Sequence, residues 1–102
     1  MRFLLTGDTM SAEKAERLGL VSEVVADSAV LTTALDIAGR IAQRAPLAVR
    51  QAKEAVLSGA DVPLDAALKI ERKALQLLMS SEDKAEGIAS FLEKRPPVFR
   101  GR

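Results

Sequence analysis

The 102-residue sequence contains neither cysteine nor histidine, and its only aromatic residues are three phenylalanines. Without cysteine the chain forms no disulfide and offers no thiol nucleophile. Without histidine it lacks the side chain that most often serves as a general base near neutral pH. Because both residue types also supply the ligands of most zinc sites, the composition excludes the common soft-metal centres.

The chain also lacks an excess of charge of either sign. Fifteen Lys and Arg residues against fourteen Asp and Glu residues give a formal net charge of +1, whereas nucleic-acid-binding domains usually carry a broad basic surface. The apolar run at residues 3–5 is far too short for a signal peptide or a transmembrane helix. We therefore expect a single domain with no nucleic-acid partner, no membrane partner and a cytoplasmic location.

Apolar residues recur at helical spacing through most of the chain. In residues 30–44 they return every three or four positions, which predicts one buried helix face. Ser11 is suited to cap a helix, Gly19 to end one and Pro46 to begin one. The predicted helices cover residues 12–18, 30–44, 46–59 and 63–79, with a last helix from Ser80 or Ser81 to just before the Arg95-Pro96 bond.

The first 27 residues predict less regular structure. Residues 1–7 form either a short strand or the tail of a helix that ends at Gly7. The β-branched stretch Leu20–Val25 favours a short strand or an extended connector. The predicted fold is therefore mainly α, with a short helix and strand remnant at residues 1–27 and a helical module at residues 28–102.

Two short motifs, Ser11-Ala-Glu-Lys14 and Ser81-Glu-Asp-Lys84, match the Ser-x-x-Lys pattern in which a lysine activates a serine nucleophile. Serine is also the preferred helix cap, and neither Ser-Asp-Asn nor Lys-Thr-Gly is present, so capping is the favoured interpretation. The acidic residues on predicted helix surfaces are interpreted as solvated partners of Lys or Arg three or four residues away: Glu13, Glu16, Glu54, Glu71 and Glu86.

The tail from Phe91 to Arg102 places four basic residues beside two of the three phenylalanines. Phe91 and Lys94 are three residues apart and would share a helix face with Gly87. A ring beside a cation can bind a purine and a phosphate, and the alternative is a core phenylalanine with a solvated basic terminus. Glycine at position 87 indicates either a tolerated loss of helix stability or close approach by another chain or a ligand.

Two segments resemble the enoyl-CoA hydratase/isomerase (crotonase) family. Residues 5–25, LTGDTMSAEKAERLGLVSEVV, are similar to the family pattern LTG…SA-x-x-A…GLV…VV. Residues 81–95, SEDKAEGIASFLEKR, resemble its D-x-x-EG-x-x-AF-x-x-KR ending. Residues 46–53 resemble the P-x-A…K helix between them. The matches follow the order and separation of the family, so the resemblance covers the whole chain.

The resemblance implies the C-terminal part of a crotonase fold. Residues 1–27 would be the end of the spiral domain, and residues 28–102 would be helices that in the family mediate trimer formation and fold over an acyl-CoA site. The phenylalanine and lysine of the family's last helix contact the adenine and phosphates of CoA, a role that carries over to Phe91 and Lys94. The family's oxyanion hole and catalytic acids come from an N-terminal region that this sequence does not match.

We therefore expect the C-terminal portion of an enoyl-CoA hydratase/isomerase family protein in fatty acid metabolism. Hydratases, isomerases and hydrolytic members share the pattern, and hydration of a trans-2-enoyl-CoA is the expected parent reaction. The resemblance implies a CoA thioester as substrate and a trimer-type homo-oligomer, with no cofactor, no metal ligand and no catalytic residue in this chain. Whether the chain alone is an enzyme stays open. The alternatives are a non-catalytic helical interaction module and a small hydrolase that uses Ser11 or Ser81.

Overall fold

Six α-helices and one 3₁₀ turn form the regular structure in the computed structural model, which describes the backbone of residues 1–102 and every side chain except that of Arg2. The backbone divides into two compact units, Met1–Asp36 and Ile37–Arg102. None of the helices described is long and apolar enough to cross a membrane. The helices are α1 (Arg2–Thr6), α2 (Ala12–Arg17), α3 (Val30–Ala42), α4 (Pro46–Gly59), α5 (Leu64–Met79) and α6 (Glu82–Leu92), and the 3₁₀ turn is Asp27–Ala29.

The predicted helices are confirmed, because α2 to α6 each begin and end within about two residues of the predicted limits. Pro46 is the first residue of α4, where its missing N–H is not needed. Gly19 closes α2 with a φ of 72°. Its N–H donates to the Glu16 carbonyl and that of Leu20 to the Ala15 carbonyl, both at 2.9 Å. This pair of bonds is the Schellman closure that a left-handed residue permits.

Of the two alternatives for Leu20–Val25, the strand is wrong. In the described backbone these residues form turns, bends and irregular chain, and no strand is present anywhere. A strand needs a neighbour to pair its N–H and C=O groups, and the chain supplies none. The Val24 N–H instead donates to a carboxylate oxygen of Glu16 at 3.2 Å. Residues 2–6 form α1, which settles the alternative of strand or helix in favour of helix.

Helices α4 and α5 pack against each other as a hairpin within the second unit. A short connection between two helices makes them antiparallel neighbours. Small residues let the two backbones approach, since a Cβ built at Gly59 would lie 3.4 Å from the Cβ of Ala67. The hairpin leaves an apolar groove along the two helices, described below as part of the candidate site.

The apolar side chains are poorly shielded from solvent. None of those described is fully buried, and the two most buried residues, Asp83 and Ser90, are polar and each 4% exposed. Large apolar side chains of both units are exposed, among them Leu4, Leu31 and Leu64. Exposed apolar surface of this kind is typical of interfaces.

The tail after α6 returns along the helix and is held there through its backbone. The carboxylate of Asp83 accepts hydrogen bonds from the N–H of Arg100 at 2.6 Å and of Gly101 at 2.8 Å. The Asp83 N–H donates to the carbonyl of Arg102 at 3.1 Å. Because Asp83 is nearly excluded from water, little solvent competes with its carboxylate for these backbone donors.

Gly87 lies under this tail. A Cβ built at Gly87 would lie 3.7 Å from Cε1 of Phe99, an ordinary van der Waals distance. Within the described chain, a methyl group at position 87 would fit beneath the Phe99 ring.

We expect Asp83→Ala to release the tail from α6. The amides of Arg100 and Gly101 should exchange with deuterium about 10- to 100-fold faster, because each loses a hydrogen bond to a charged acceptor. Hydrogen exchange followed by NMR measures the change. Asp65, which lies in the first turn of α5 with an exposed side chain, provides the control, since Asp65→Ala should leave both amides unchanged. Unaltered exchange in the Asp83 variant would contradict the assignment.

Candidate functional site

The candidate site lies at the C-terminal end of α6, where Phe91 is in the last turn of the helix. Its side chain is 82% exposed among the described residues. An exposed phenylalanine ring leaves most of its apolar surface in water, which favours a covering partner or ligand. Its faces are free to stack on a planar heteroaromatic ring.

Lys94 lies beyond the helix rather than on it. Its backbone has a φ of 53°, in the left-handed region. The Lys94 N–H donates to the carbonyl of Phe91 at 3.3 Å, and the Arg95 N–H donates to that of Ser90 at 3.0 Å. These two bonds form a Schellman closure like the one at Gly19. The three-residue spacing therefore does not by itself place Phe91 and Lys94 on one helix face, although the closure keeps their backbones adjacent.

Arg95 forms a bidentate ion pair, called the fork below, with Glu86, which lies one turn from the start of α6. Its two terminal nitrogens donate to the two carboxylate oxygens of Glu86 at 2.5 and 2.9 Å. Its Nε donates to Glu93 at 2.6 Å, and Glu86 also accepts the N–H of Val98 at 2.7 Å. Planar two-point pairing of this kind is the arrangement that guanidinium and carboxylate groups favour.

These bonds change the acidity of Glu86. The hydrogen bond from Arg95, then that from the Val98 N–H, lower the pKa of Glu86 from 4.5 to about 2. The same pairing with Glu86 raises the pKa of Arg95. Because the carboxyl pKa is lower in the folded chain, the contact contributes its full stability above pH 4.5 and loses it as the pH falls through about 2.

The sequence interpretation missed the role of Glu86 and Arg95. It assigned Glu86 to a partner three or four residues away and Arg95 to a solvated basic tail. In the structure the two residues are nine positions apart and meet because the chain reverses after α6. The Arg102 side chain likewise reaches Glu82 at 2.9 Å. The available signal was the Pro96-Pro97 pair, which follows the helix and precedes the tail.

The two Ser-x-x-Lys motifs are helix caps, as predicted. The side-chain oxygen of Ser11 accepts the N–H of Lys14 at 3.3 Å, and that of Ser81 accepts the N–H of Lys84 at 3.1 Å. The Ser81 hydroxyl donates to the Leu78 carbonyl at 2.8 Å. Among the described residues no group of three or more acidic side chains is arranged to hold a metal ion.

A second feature of the same unit is the groove along α4 and α5, with a volume of about 600 Å³. Leu68 and Leu75 line it and are 50% and 58% exposed. Neither Phe91 nor Lys94 lines this groove. Its remaining apolar lining residues are small or aliphatic and come from both helices and the loop between them: Ala48, Ala52, Ala55, Val56, Gly59, Ala60, Leu64, Ala67, Ala74 and Leu78.

The chain is similar to proteins of one family along its whole length. The family model described as enoyl-CoA hydratase/isomerase matches residues 1–102. The 2,3-dehydroadipyl-CoA hydratase of Escherichia coli is 41% identical over 99% of this chain. The (E)-benzylidenesuccinyl-CoA hydratase of Thauera aromatica is 44% identical over the same share.

Solved structures give the same result. The crystal structure of enoyl-CoA hydratase EchA1 from Mycobacterium marinum superposes with a TM-score of 0.92 at 36% identity, over 100% of this chain and 40% of that one. The chain likewise spans 40% of the length of the two relatives above. The match of the family model along all 102 residues, with these identities, shows that the chain belongs to the enoyl-CoA hydratase/isomerase family.

Proposed function

We propose that these residues form the CoA-binding and oligomerising part of an enoyl-CoA hydratase-type protein of fatty acid metabolism. Residues 1–27 are the end of its spiral domain, and residues 28–102 are its C-terminal helical module. The substrate is a trans-2-enoyl-CoA thioester, and the reaction needs no cofactor. The observation that carries the proposal is the exposed ring of Phe91 followed by the exposed Lys94 at the end of α6, in a chain of this family.

The relatives point to CoA as the part of the substrate that this region recognises. The names of the two relatives specify different acyl groups but the same CoA carrier and the same hydratase activity. A region that both proteins share with this chain is therefore better suited to the common carrier than to the acyl group. The adenine and phosphates of CoA supply a planar ring and negative charge.

The chemistry of the two side chains fits those groups. Phe91 offers an open ring face for stacking on adenine. Lys94 offers a compact positive charge that a phosphate attracts from several directions. Because both groups are exposed, each would gain a partner on binding without first losing a contact within the chain.

The bond-making steps belong outside these 102 residues in our proposal. Hydration of an enoyl thioester needs hydrogen-bond donors at the thioester oxygen and a positioned acid or base. Two carboxylates of α6 are already engaged, since Asp83 accepts tail amides and Glu86 accepts Arg95. Neither is free to hold a water molecule for addition to a double bond.

We accordingly expect no turnover by the chain alone. Crotonyl-CoA absorbs in the ultraviolet through its conjugated thioester, and the absorbance should stay constant after the purified chain is added. A decline in absorbance would contradict the proposal that the bond-making steps belong outside these 102 residues. If the decline then disappeared in Ser11→Ala or Ser81→Ala, the hydrolase interpretation would be favoured instead.

Variants of the two residues test the CoA site. Lys94→Ala should weaken CoA binding more at low than at high ionic strength, because salt screens an exposed ammonium and phosphate pair. Phe91→Ala should weaken it by a similar factor at both, about fivefold for roughly 1 kcal/mol of stacking. Chemical-shift changes in an NMR titration with CoA measure affinities even when binding is weak.

Lys84 is the matched control for this titration, since it is an exposed lysine on α6. Lys84→Ala should bind CoA as the parent does. If Phe91→Ala and Lys94→Ala also bound CoA as tightly as the parent, the site assignment would be wrong.

Self-association into a trimer-type homo-oligomer is the second part of the proposal. Large apolar side chains of α5 are exposed, including Leu64, Leu68 and Leu75, and exposed apolar patches usually mark interfaces. The groove along α4 and α5 supplies apolar surface for such a contact. The same groove favours the alternative function, a non-catalytic helical module that binds a different protein.

Sedimentation should show association that depends on concentration. Leu68→Glu, which places a charge in the groove, should shift the chain toward monomer, because burying an unpaired carboxylate is costly. Leu57 lies on α4, is 67% exposed and is not a groove residue, so Leu57→Glu is the control and should associate as the parent does. A compact monomer at all concentrations, with cooperative unfolding, would contradict self-association.

A further inference from the structure

Helices α2 and α6 end with the same pair of backbone hydrogen bonds, but with different residues at the left-handed position. In α2 that residue is Gly19, with a φ of 72°. In α6 it is Lys94, with a φ of 53°, the one non-glycine residue with positive φ in the described backbone. Glycine adopts this conformation freely, whereas the Cβ of any other residue disfavours it. A side chain is therefore present at a position where the backbone alone would select glycine.

Contacts on both sides of Lys94 compensate for this preference. Arg95, the next residue, is fixed by its N–H to Ser90 and by its fork to Glu86. Glu93, the preceding residue, is bonded to the Arg95 Nε. Disfavoured backbone conformations persist where the surroundings determine them from several directions, and they concentrate at functional sites.

The Lys94 side chain differs from its neighbours in what it contacts. Glu93 and Arg95 both form ion pairs, while the Lys94 ammonium has no hydrogen bond or ion pair with any described side chain. The chain thus holds the backbone of Lys94 firmly and leaves its charge available. Such an arrangement suits a cation whose direction matters to something outside the chain.

We propose that Arg95 and Glu86 are positioning residues that hold Lys94 at positive φ and thereby set the direction in which its ammonium meets the phosphates of CoA. The backbone half of this inference is the claim about the φ angle of Lys94. The binding half is the claim about the phosphates of CoA, and it rests on the proposed function. If the fork opened, Lys94 would relax toward negative φ. Its ammonium would then sample more positions, and binding would have to order it again.

NMR of the 102-residue chain tests the backbone half directly. The one-bond Cα–Hα coupling constant of Lys94 and its HN–Hα Overhauser effect both depend on the sign of φ. The parent should show the values of positive φ, and Glu86→Gln, which keeps the size of the side chain but removes its charge, should shift both toward those of negative φ. Glu82→Gln is the control, because it removes the other ion pair of the tail, that with Arg102, and should change neither.

A double-mutant cycle tests the binding half, with CoA as the titrant. Glu86→Gln should weaken CoA binding about fivefold in the parent background, and Glu82→Gln should not. In the Lys94→Ala background the Glu86→Gln change should have no further effect, because there is no ammonium left to position. A residue that supports only the general fold would weaken binding equally in both backgrounds.

The outcomes separate this inference from the proposed function. If Lys94→Ala leaves CoA binding unchanged, the CoA role of Lys94 fails, while the coupling constants still decide the backbone half. If Lys94→Ala weakens binding but Glu86→Gln has equal effects in both backgrounds, the positioning role is overturned and the CoA site stands. If Lys94 keeps positive φ in Glu86→Gln, the positioning role is likewise overturned.

Discussion

Burial of apolar surface is the main favourable term in folding, and this chain has too little of it within itself. Its helices carry the apolar faces that their periodicity predicts, but only α4 and α5 cover each other extensively in the described structure. Leucines such as Leu68 and Leu75 remain half exposed. The helices are therefore specified locally, by caps, prolines and spacing, and burial of apolar side chains among the described residues adds little to their stabilisation.

In the second unit, polar contacts hold the tail against α6. Asp83 is the most buried charged group, and it uses its carboxylate to bind the backbone of the returning tail. Arg95 and Glu86 close the turn between helix and tail. Exposed ion pairs add little free energy of folding. The main effect of these contacts is therefore geometric, because they fix the orientation of the end of α6 and its side chains.

The sequence predicted features that depend on residues close together in the chain and missed those that depend on residues far apart in it. Helix limits depend on neighbours within four positions, and Pro46 and Gly19 were sufficient to place them. The strand expected at Leu20–Val25 depended on a partner strand that the chain does not contain. The fork between Glu86 and Arg95 needed the reversal after α6, which no local preference specifies. Phe91 and Lys94 were proposed from the composition of the tail and from the family pattern, whereas the left-handed backbone of Lys94 is a property of the folded turn.

The way the tail is bound also determines which changes of sequence it can accept. Glu86 and Asp83 bind the N–H groups of Val98, Arg100 and Gly101 rather than their side chains. At positions 98 and 100 these hydrogen bonds are available to any residue with a backbone N–H, and the one substitution that removes the donor is proline. The two natural prolines of the tail occupy positions 96 and 97, immediately before the first amide that is bound.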